Sequence, residues 1–270
     1  MSSLFVRRVG KNAGIPVVLL HGFGGSHRTW DDVCVELGRE RSILLYDLPG
    51  HAASLAYPEP GHAVTAARAV RADLAERAPD GFHLVGHSMG GAAAALIALK
   101  EPEKARSLTL LAPGGFGPAV NHRALTHYAA ARGSEEMRRV LEEFVGFRAE
   151  LSEDLILRLA AEREAPGAGE ALVAISETLH SGGAQKMLPL EAIAALPCPL
   201  KLLWGEQDRI LPAAQARGLP GMIGVHVFAD AGHMLPWEIP SAVARLISEN
   251  SRYCRAGEAF SWRSGYGFPE

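Results

Sequence analysis

Cysteine is nearly absent from this chain: Cys34, Cys198 and Cys254 are odd in number and widely scattered. That pattern excludes a disulfide framework and a C-x-x-C metal pair. Long apolar runs are missing as well. The longest, 92–99 and 192–200, fall far short of the roughly 20 residues that cross a bilayer. Residues 1–8 have no apolar core of the kind a signal peptide carries. Lysine stands only at 11, 100, 104, 186 and 201, and the formal net charge is −3, so no basic surface for nucleic acid is expected. No H-E-x-x-H pair occurs, and His51, His62 and His83 are dispersed. The glycines at 22, 24 and 25 are not followed by the Lys-Ser/Thr of a phosphate loop, and no G-x-G-x-x-G opens a helix. These absences predict a cytoplasmic protein that works without metal or other cofactor, with neither nucleic acid nor membrane as partner.

What remains is an ordinary globular composition, 48% hydrophobic and 21% charged, and 270 residues are enough for a full core. Apolar runs at 15–20, 41–46, 82–85, 107–111, 199–204 and 225–228 read as strands, most of them covered by helices on both faces. Helix candidates fill about 29–39, 62–78, 90–100, 213–218 and 238–250. The alternation predicts an α/β fold with a mostly parallel, doubly wound sheet. One extra strand fits at 4–9. From 117 to 190 the spacing turns helical, as in Ala124-Leu125-Tyr128-Ala129 and Met137-Val140-Leu141-Phe144-Val145. The expected organisation is a core of 1–116 and 191–250, a mainly helical insertion of 117–190, and a tail of 251–270. The tail, rich in Gly, Arg and aromatics, reads either as a loosely packed end or as a segment docking on the body or on a partner subunit.

Residues 84–91 run from an apolar strand end into Gly86-His87-Ser88-Met89-Gly90, a G-x-S-x-G pattern. The flanking glycines leave room for a sharp strand-to-helix turn that projects Ser88 Oγ toward a base. A serine hydroxyl barely ionises at neutral pH and needs that base; the base needs an acid to hold its tautomer. Asp208 follows the strand ending at Trp204, and His233 lies on a Gly-preceded loop after the strand ending at Phe228. Loops at the carboxyl ends of strands are where such residues converge. The candidate catalytic residues are therefore Ser88, Asp208 and His233. Glu206 is the second candidate acid, and Asp230 also adjoins the site. The loop after the 107–111 strand offers no carboxylate. His87 reads as structural or pocket-lining, and His21 as a brace of its own loop. An oxyanion needs two N–H donors. Met89 is one candidate; Phe23, in the loop after strand 15–20, is the other, with Gly24 the fallback.

The segments His21-Gly22-Phe23-Gly24, Asp47-Leu48-Pro49-Gly50-His51, Gly86–Gly91, Trp204–Arg209 and Gly232-His233 together resemble the α/β-hydrolase superfamily, in family order from residue 16 to about 240. The resemblance implies an α/β-hydrolase fold whose helical cap is inserted after the strand that follows the nucleophile helix. Within the superfamily, Ala112–Gly117 and Trp204–Pro212 are similar to the hydrolase-type domain of acetoin-dehydrogenase acyltransferase components. They are also similar to carboxylesterases and to the carbon–carbon-bond hydrolases of aromatic ring-cleavage products. The latter usually carry Asn where this chain has His87. Ala52 stands where a second glycine is usual, so a differently shaped loop is expected there. No lipoyl domain precedes the first strand, which counts against transfer from a tethered lipoyl arm. Ser88 excludes haloalkane dehalogenases, which need aspartate at that position.

The implied activity is that of a serine hydrolase on a small to medium-sized ester or thioester. The alternatives are an acyltransferase, a carbon–carbon-bond hydrolase and a non-catalytic ligand-binding relative. The implied partner is a small acyl molecule, and a homodimer is compatible with it. Phe116, Phe144, Phe147, Leu151 and Leu155 are apolar candidates for lining the pocket. His122, Arg123, His127 and Arg132 are candidates for meeting an acidic substrate.

Overall fold

The computed structural model describes residues 3–252, so Cys254 and most of the expected tail lie outside the described residues. In chain order the elements are β1 (Val6–Gly10), β2 (Val17–Leu20), α1 (Asp31–Leu37), β3 (Ser42–Tyr46), α2 (Ala63–Arg77), β4 (Phe82–His87), α3 (Ser88–Lys100) and β5 (Ala105–Leu111). Then come α4 (His122–Ala130), α5 (Gly133–Leu141), α6 (Glu153–Arg163), α7 (Ala168–Thr178) and α8 (Leu190–Ala194). The chain closes with β6 (Leu200–Gly205), β7 (Gly224–Phe228), α9 (Leu235–Glu238) and α10 (Pro240–Arg252).

The strands form one sheet in the order β1-β3-β2-β4-β5-β6-β7, parallel except for β1, which runs antiparallel to β3. Every residue of β2, β3 and β4 is buried, which is why these strands read as continuous apolar runs. Helices α1 and α10 pack together, as do α2 and α3. This is the α/β-hydrolase fold. Strand β7 closes the sheet as an edge, with Val225 and Val227 exposed. Among the described residues no helix is long and apolar enough to cross a membrane.

Chain direction reverses about β2, since β3 lies on one side of it and β4 on the other. At such a switch point the loops leaving the two central strands diverge and open a crevice at their carboxyl ends. The loop after β2 carries Gly22–Ser26, and the end of β4 carries Ser88. The segment between β5 and β6 carries helices α4–α8, of which α8 packs on α3. Its helices start where local caps permit: Asn121 Oδ1 accepts from Ala124 N–H at the start of α4, and Ser152 Oγ from Leu155 N–H at the start of α6. The two ends of the insertion are tied together. Gln185 N–H donates to Pro118 O at 2.9 Å, and Leu188 N–H to Gly115 O at 2.8 Å.

Candidate active site

Ser88 sits at the junction of β4 and α3 with φ +53°, a left-handed conformation that a non-glycine residue adopts at a cost of about 1–3 kcal/mol. The turn is tight because α3 presses on the chain leaving β2. A Cβ on Gly90 would stand 2.2 Å from His21 O, so no larger residue fits there. The loop after β2 also lies against the elbow: a Cβ built on Gly22 would be 3.0 Å from Ser88 Cβ.

Asp208 and His233 come from the ends of β6 and β7. His233 Nδ1 lies 2.8 Å from Asp208 Oδ2. A carboxylate only accepts, so Nδ1 carries the proton and Nε2 is left as the basic nitrogen. Asp208 is in turn held by Ile210 N–H and Leu211 N–H, both at 2.8 Å, and by Trp204 Nε1–H at 3.1 Å. Glu206 faces outward near Arg217 and Asp230 toward Arg148, so neither joins this cluster. Ser88 and His233 line one cavity together with Gly22, Phe23, His87 and Tyr128. Leu125, Leu141, Phe144 and Trp237 supply apolar walls. Its volume is about 10 Å³, on the order of what one water needs.

Phe23 lines this cavity, and Met89 follows Ser88 as the second residue of α3. Gly24 N–H, the fallback donor, is already taken by His51 Nε2 at 3.1 Å. His51 Nδ1 donates to Pro49 O at 3.0 Å, and burial beside His21 drives its pKa down to about 3, so the ring stays a neutral acceptor. His21 is a brace of the same kind. Its Nδ1 donates to Gly22 O at 2.7 Å while Nε2 accepts from Leu48 N–H at 2.9 Å. His87 backs the base directly: its Nε2 donates to His233 O at 2.9 Å and the two rings lie 4.8 Å apart. Burial lowers the His87 pKa, as does the neighbouring His233. His83 and His87 stand four apart, a spacing that pairs two imidazoles on a helix. They fall on strand β4, where four residues span about 13 Å. Among the described residues no cluster of His, Cys, Asp or Glu is placed to hold a metal ion.

A family model described as the alpha/beta hydrolase family matches residues 17–246. The chain belongs to that family. It is 34% identical over 246 residues to the dihydrolipoyllysine-residue acetyltransferase component of the acetoin cleaving system of Cupriavidus necator, covering 91% of this chain and 66% of the relative. With the Pseudomonas putida protein of the same description the share is 63%, so this chain spans slightly less than two thirds of their length. It is 33% identical to the pimeloyl-[acyl-carrier protein] methyl ester esterase of Chromobacterium violaceum, covering 86% of this chain and 91% of that one. Among solved structures, the meta-cleavage product hydrolase of Pseudomonas fluorescens superposes with a TM-score of 0.81 at 20% identity, covering 93% and 94% of the two chains.

Within this α/β-hydrolase framework several site-building residues carry no sequence signal. Glu238, in α9, accepts from Gly146 N–H at 2.7 Å, Gly232 N–H at 2.8 Å and Met234 N–H at 2.9 Å. Burial raises its pKa against those three bonds. It thereby ties the His233 loop to the insertion, a link completed by His233 N–H donating to Phe144 O at 2.7 Å. Of the five apolar candidates in or beside the insertion only Phe144 lines the cavity, and Phe147 is 74% exposed. None of His122, Arg123, His127 and Arg132 reaches it. Arg132 instead donates to Ala129, Ala130 and Ala131 carbonyls at the end of α4. Ala52, standing where a second glycine is usual, takes a left-handed backbone with φ +42°, a conformation that costs alanine strain that glycine would not carry.

Proposed function

We propose that this protein is a serine hydrolase that cleaves a small to medium-sized ester or thioester through an acyl-enzyme. The observation that carries the reading is the shared cavity of Ser88 and His233, with His233 bonded to Asp208 at 2.8 Å. Ser88 Oγ attacks the acyl carbonyl while His233 Nε2 takes its proton. Asp208 holds the imidazole in the Nδ1–H tautomer and offsets the imidazolium that forms. The N–H groups of Phe23 and Met89 take the oxyanion, and His233 returns the proton to the leaving alcohol or thiol. A water activated by the same imidazole then cleaves the acyl-enzyme. No cofactor enters any step. The apolar walls suit an acyl chain, and the relative from Chromobacterium violaceum is described as a methyl ester esterase.

Helices α4–α7 act in this reading as a cap, the unit expected at 117–190. Because the cavity has room for only about one water, a substrate enters only if cap side chains such as Leu125, Leu141 and Phe144 give way. Fluorophosphonate labelling is the direct test. Wild type should label at Ser88 and Ser88→Ala should not; equal labelling of both proteins removes Ser88 as the nucleophile.

The second reading is acyl transfer, favoured by the 34% identity to an acetyltransferase component. It differs only in what attacks the acyl-enzyme. Partition of a preformed acyl-enzyme between water and added dihydrolipoamide separates the two.

A further inference from the structure

Two buried groups from the cap converge on one carbonyl of the loop after β2. Tyr128 Oη–H, from α4, donates to Gly24 O at 3.1 Å. Arg163, from the end of α6, brings Nη1 and Nη2 to the same oxygen, each at 3.4 Å. The guanidinium also lies over the Tyr128 ring, 4.7 Å from its centroid. Arg163 is only 5% exposed, and its Nε has no partner. An arginine enclosed with a carbonyl and an aromatic face is an expensive way to fill space. Gly24 itself is shaped to this contact: its φ is +69°, and a Cβ there would stand 2.3 Å from the Tyr128 ring.

Peptide planarity carries the contact further. Gly24 O and Gly25 N–H belong to one rigid unit, so holding the oxygen sets the direction of the N–H on the opposite edge. Gly25 N–H donates to Gly22 O at 3.1 Å. Gly22 O in turn shares its peptide with Phe23 N–H, and the same planarity sets that donor's direction. Core residues support this relay from the other side, His21 at Gly22 O and His51 at Gly24 N–H. Among the described residues Gly24 O accepts only from the cap, so the cap donors and the Gly25 N–H bond to Gly22 O together hold a peptide that lies between two conformationally free glycines.

We propose that Tyr128 and Arg163 are positioning residues for the oxyanion donor Phe23 N–H, acting through the Gly24–Gly25 peptide, so that docking of the cap completes the oxyanion site. The inference rests on the serine-hydrolase reading and adds to it a residue pair that acts on the oxyanion donor through the backbone.

The test uses the full chain with a short nitrophenyl ester, a fluorophosphonate and a boronic acid that mimics the tetrahedral intermediate. Tyr128→Phe keeps the ring and removes one donor; Arg163→Met and Arg163→Lys remove and partly restore the other. Loss of a complete oxyanion donor costs about 10²–10³ in turnover, which caps the effect. The expected result is a kcat about tenfold lower in each of Tyr128→Phe and Arg163→Met, with KM within twofold of wild type. Boronate affinity and fluorophosphonate labelling rate should fall by the same factor, and Arg163→Lys should recover part of each. Should Arg163→Met fail to fold, Tyr128→Phe decides alone. Wild-type kcat and boronate affinity in folded variants overturn the inference while leaving the hydrolase reading intact. So does a rise in KM at unchanged kcat, which marks a substrate contact instead. A wild-type protein that labels with no fluorophosphonate removes the hydrolase reading and this inference with it.

Discussion

His233 and His27 each turn Nδ1 toward a buried aspartate, at 2.8 Å from Asp208 in one pair and 2.9 Å from Asp47 in the other. In both pairs the remaining carboxylate capacity pins backbone. Asp208 accepts from Ile210 and Leu211 N–H; Asp47 accepts from His27 N–H at 2.6 Å and Ala53 N–H at 3.1 Å. Burial works to raise the Asp47 pKa, but the bonds from His27 and the nearby His21 prevail and hold it below the usual range. The pairs diverge beyond the imidazole. His233 opens onto the cavity that Ser88 lines, whereas the His27 ring packs against Phe5, 5.0 Å away. A histidine–aspartate pair is thus a staple in its own right, and the proposed acid–base role belongs to the one pair that opens onto a cavity lined by a serine.

Substitution breaks this comparison most sharply. Ser88→Ala and His233→Ala should each cost on the order of 10⁶ in kcat for a short ester. Asp208→Asn should cost about 10⁴, because the amide favours the wrong tautomer. Asp47→Asn should leave turnover within about tenfold, and should appear instead as a loss of about 1–3 kcal/mol in a denaturant titration. Equal turnover losses in the two aspartate variants would erase the distinction between staple and catalytic pair.

Acid sharpens it from another side. Burial, helped by Arg41 and Arg106, holds His83 down at about 4, and burial beside His21 holds His51 at about 3. In the unfolded chain these groups protonate near 6.5, so between about 6.5 and 4 the unfolded state binds more protons than the folded one. Stability contributed by the neutral rings is therefore present above that window and lost as pH falls through it. Guanidinium titrations at pH 7, 6 and 5 should show the decline. His83→Gln should flatten it by about 1 kcal/mol per pH unit; an unchanged slope would remove His83 as a contributor.

The smallest expected effect is at Ala52, in the loop that Asp47 pins. Ala52→Gly relieves a left-handed backbone worth about 1–2 kcal/mol and returns about 0.5–1 kcal/mol in chain entropy. A net gain of about 0–1.5 kcal/mol in thermal or denaturant stability follows. A loss instead would show that the alanine methyl has a packing role.

Legibility followed the length of the interaction along the chain. Ser88 was readable because the strand, the serine, both glycines and the helix are contiguous. Asp208 and His233 were readable because each closely follows an apolar strand, and strand order does the rest. His27–Asp47, Glu238 and the Tyr128–Arg163 contact were not readable. Their contacts, many of them to backbone atoms, join residues 4 to 139 positions apart and form only after the loops have packed. The backbone at Ala52 was not readable either: its left-handed φ goes with Asp47 accepting from the neighbouring Ala53 N–H, a contact from six positions earlier.

The sequence by itself determined the sheet, the elbow and which residue types stand at the ends of β4, β6 and β7. Those follow from local apolar periodicity and from sterics within a few residues of Ser88. Only the tertiary structure decided that Gly24 N–H is spent on His51, that His233 is backed by His87 and bonded to Phe144 O, and that the cavity holds about one water. Hydrogen bonds to backbone leave no trace in residue identity, because every residue but proline offers the same N–H and carbonyl. Which of them a buried side chain meets is settled when the insertion closes on the sheet.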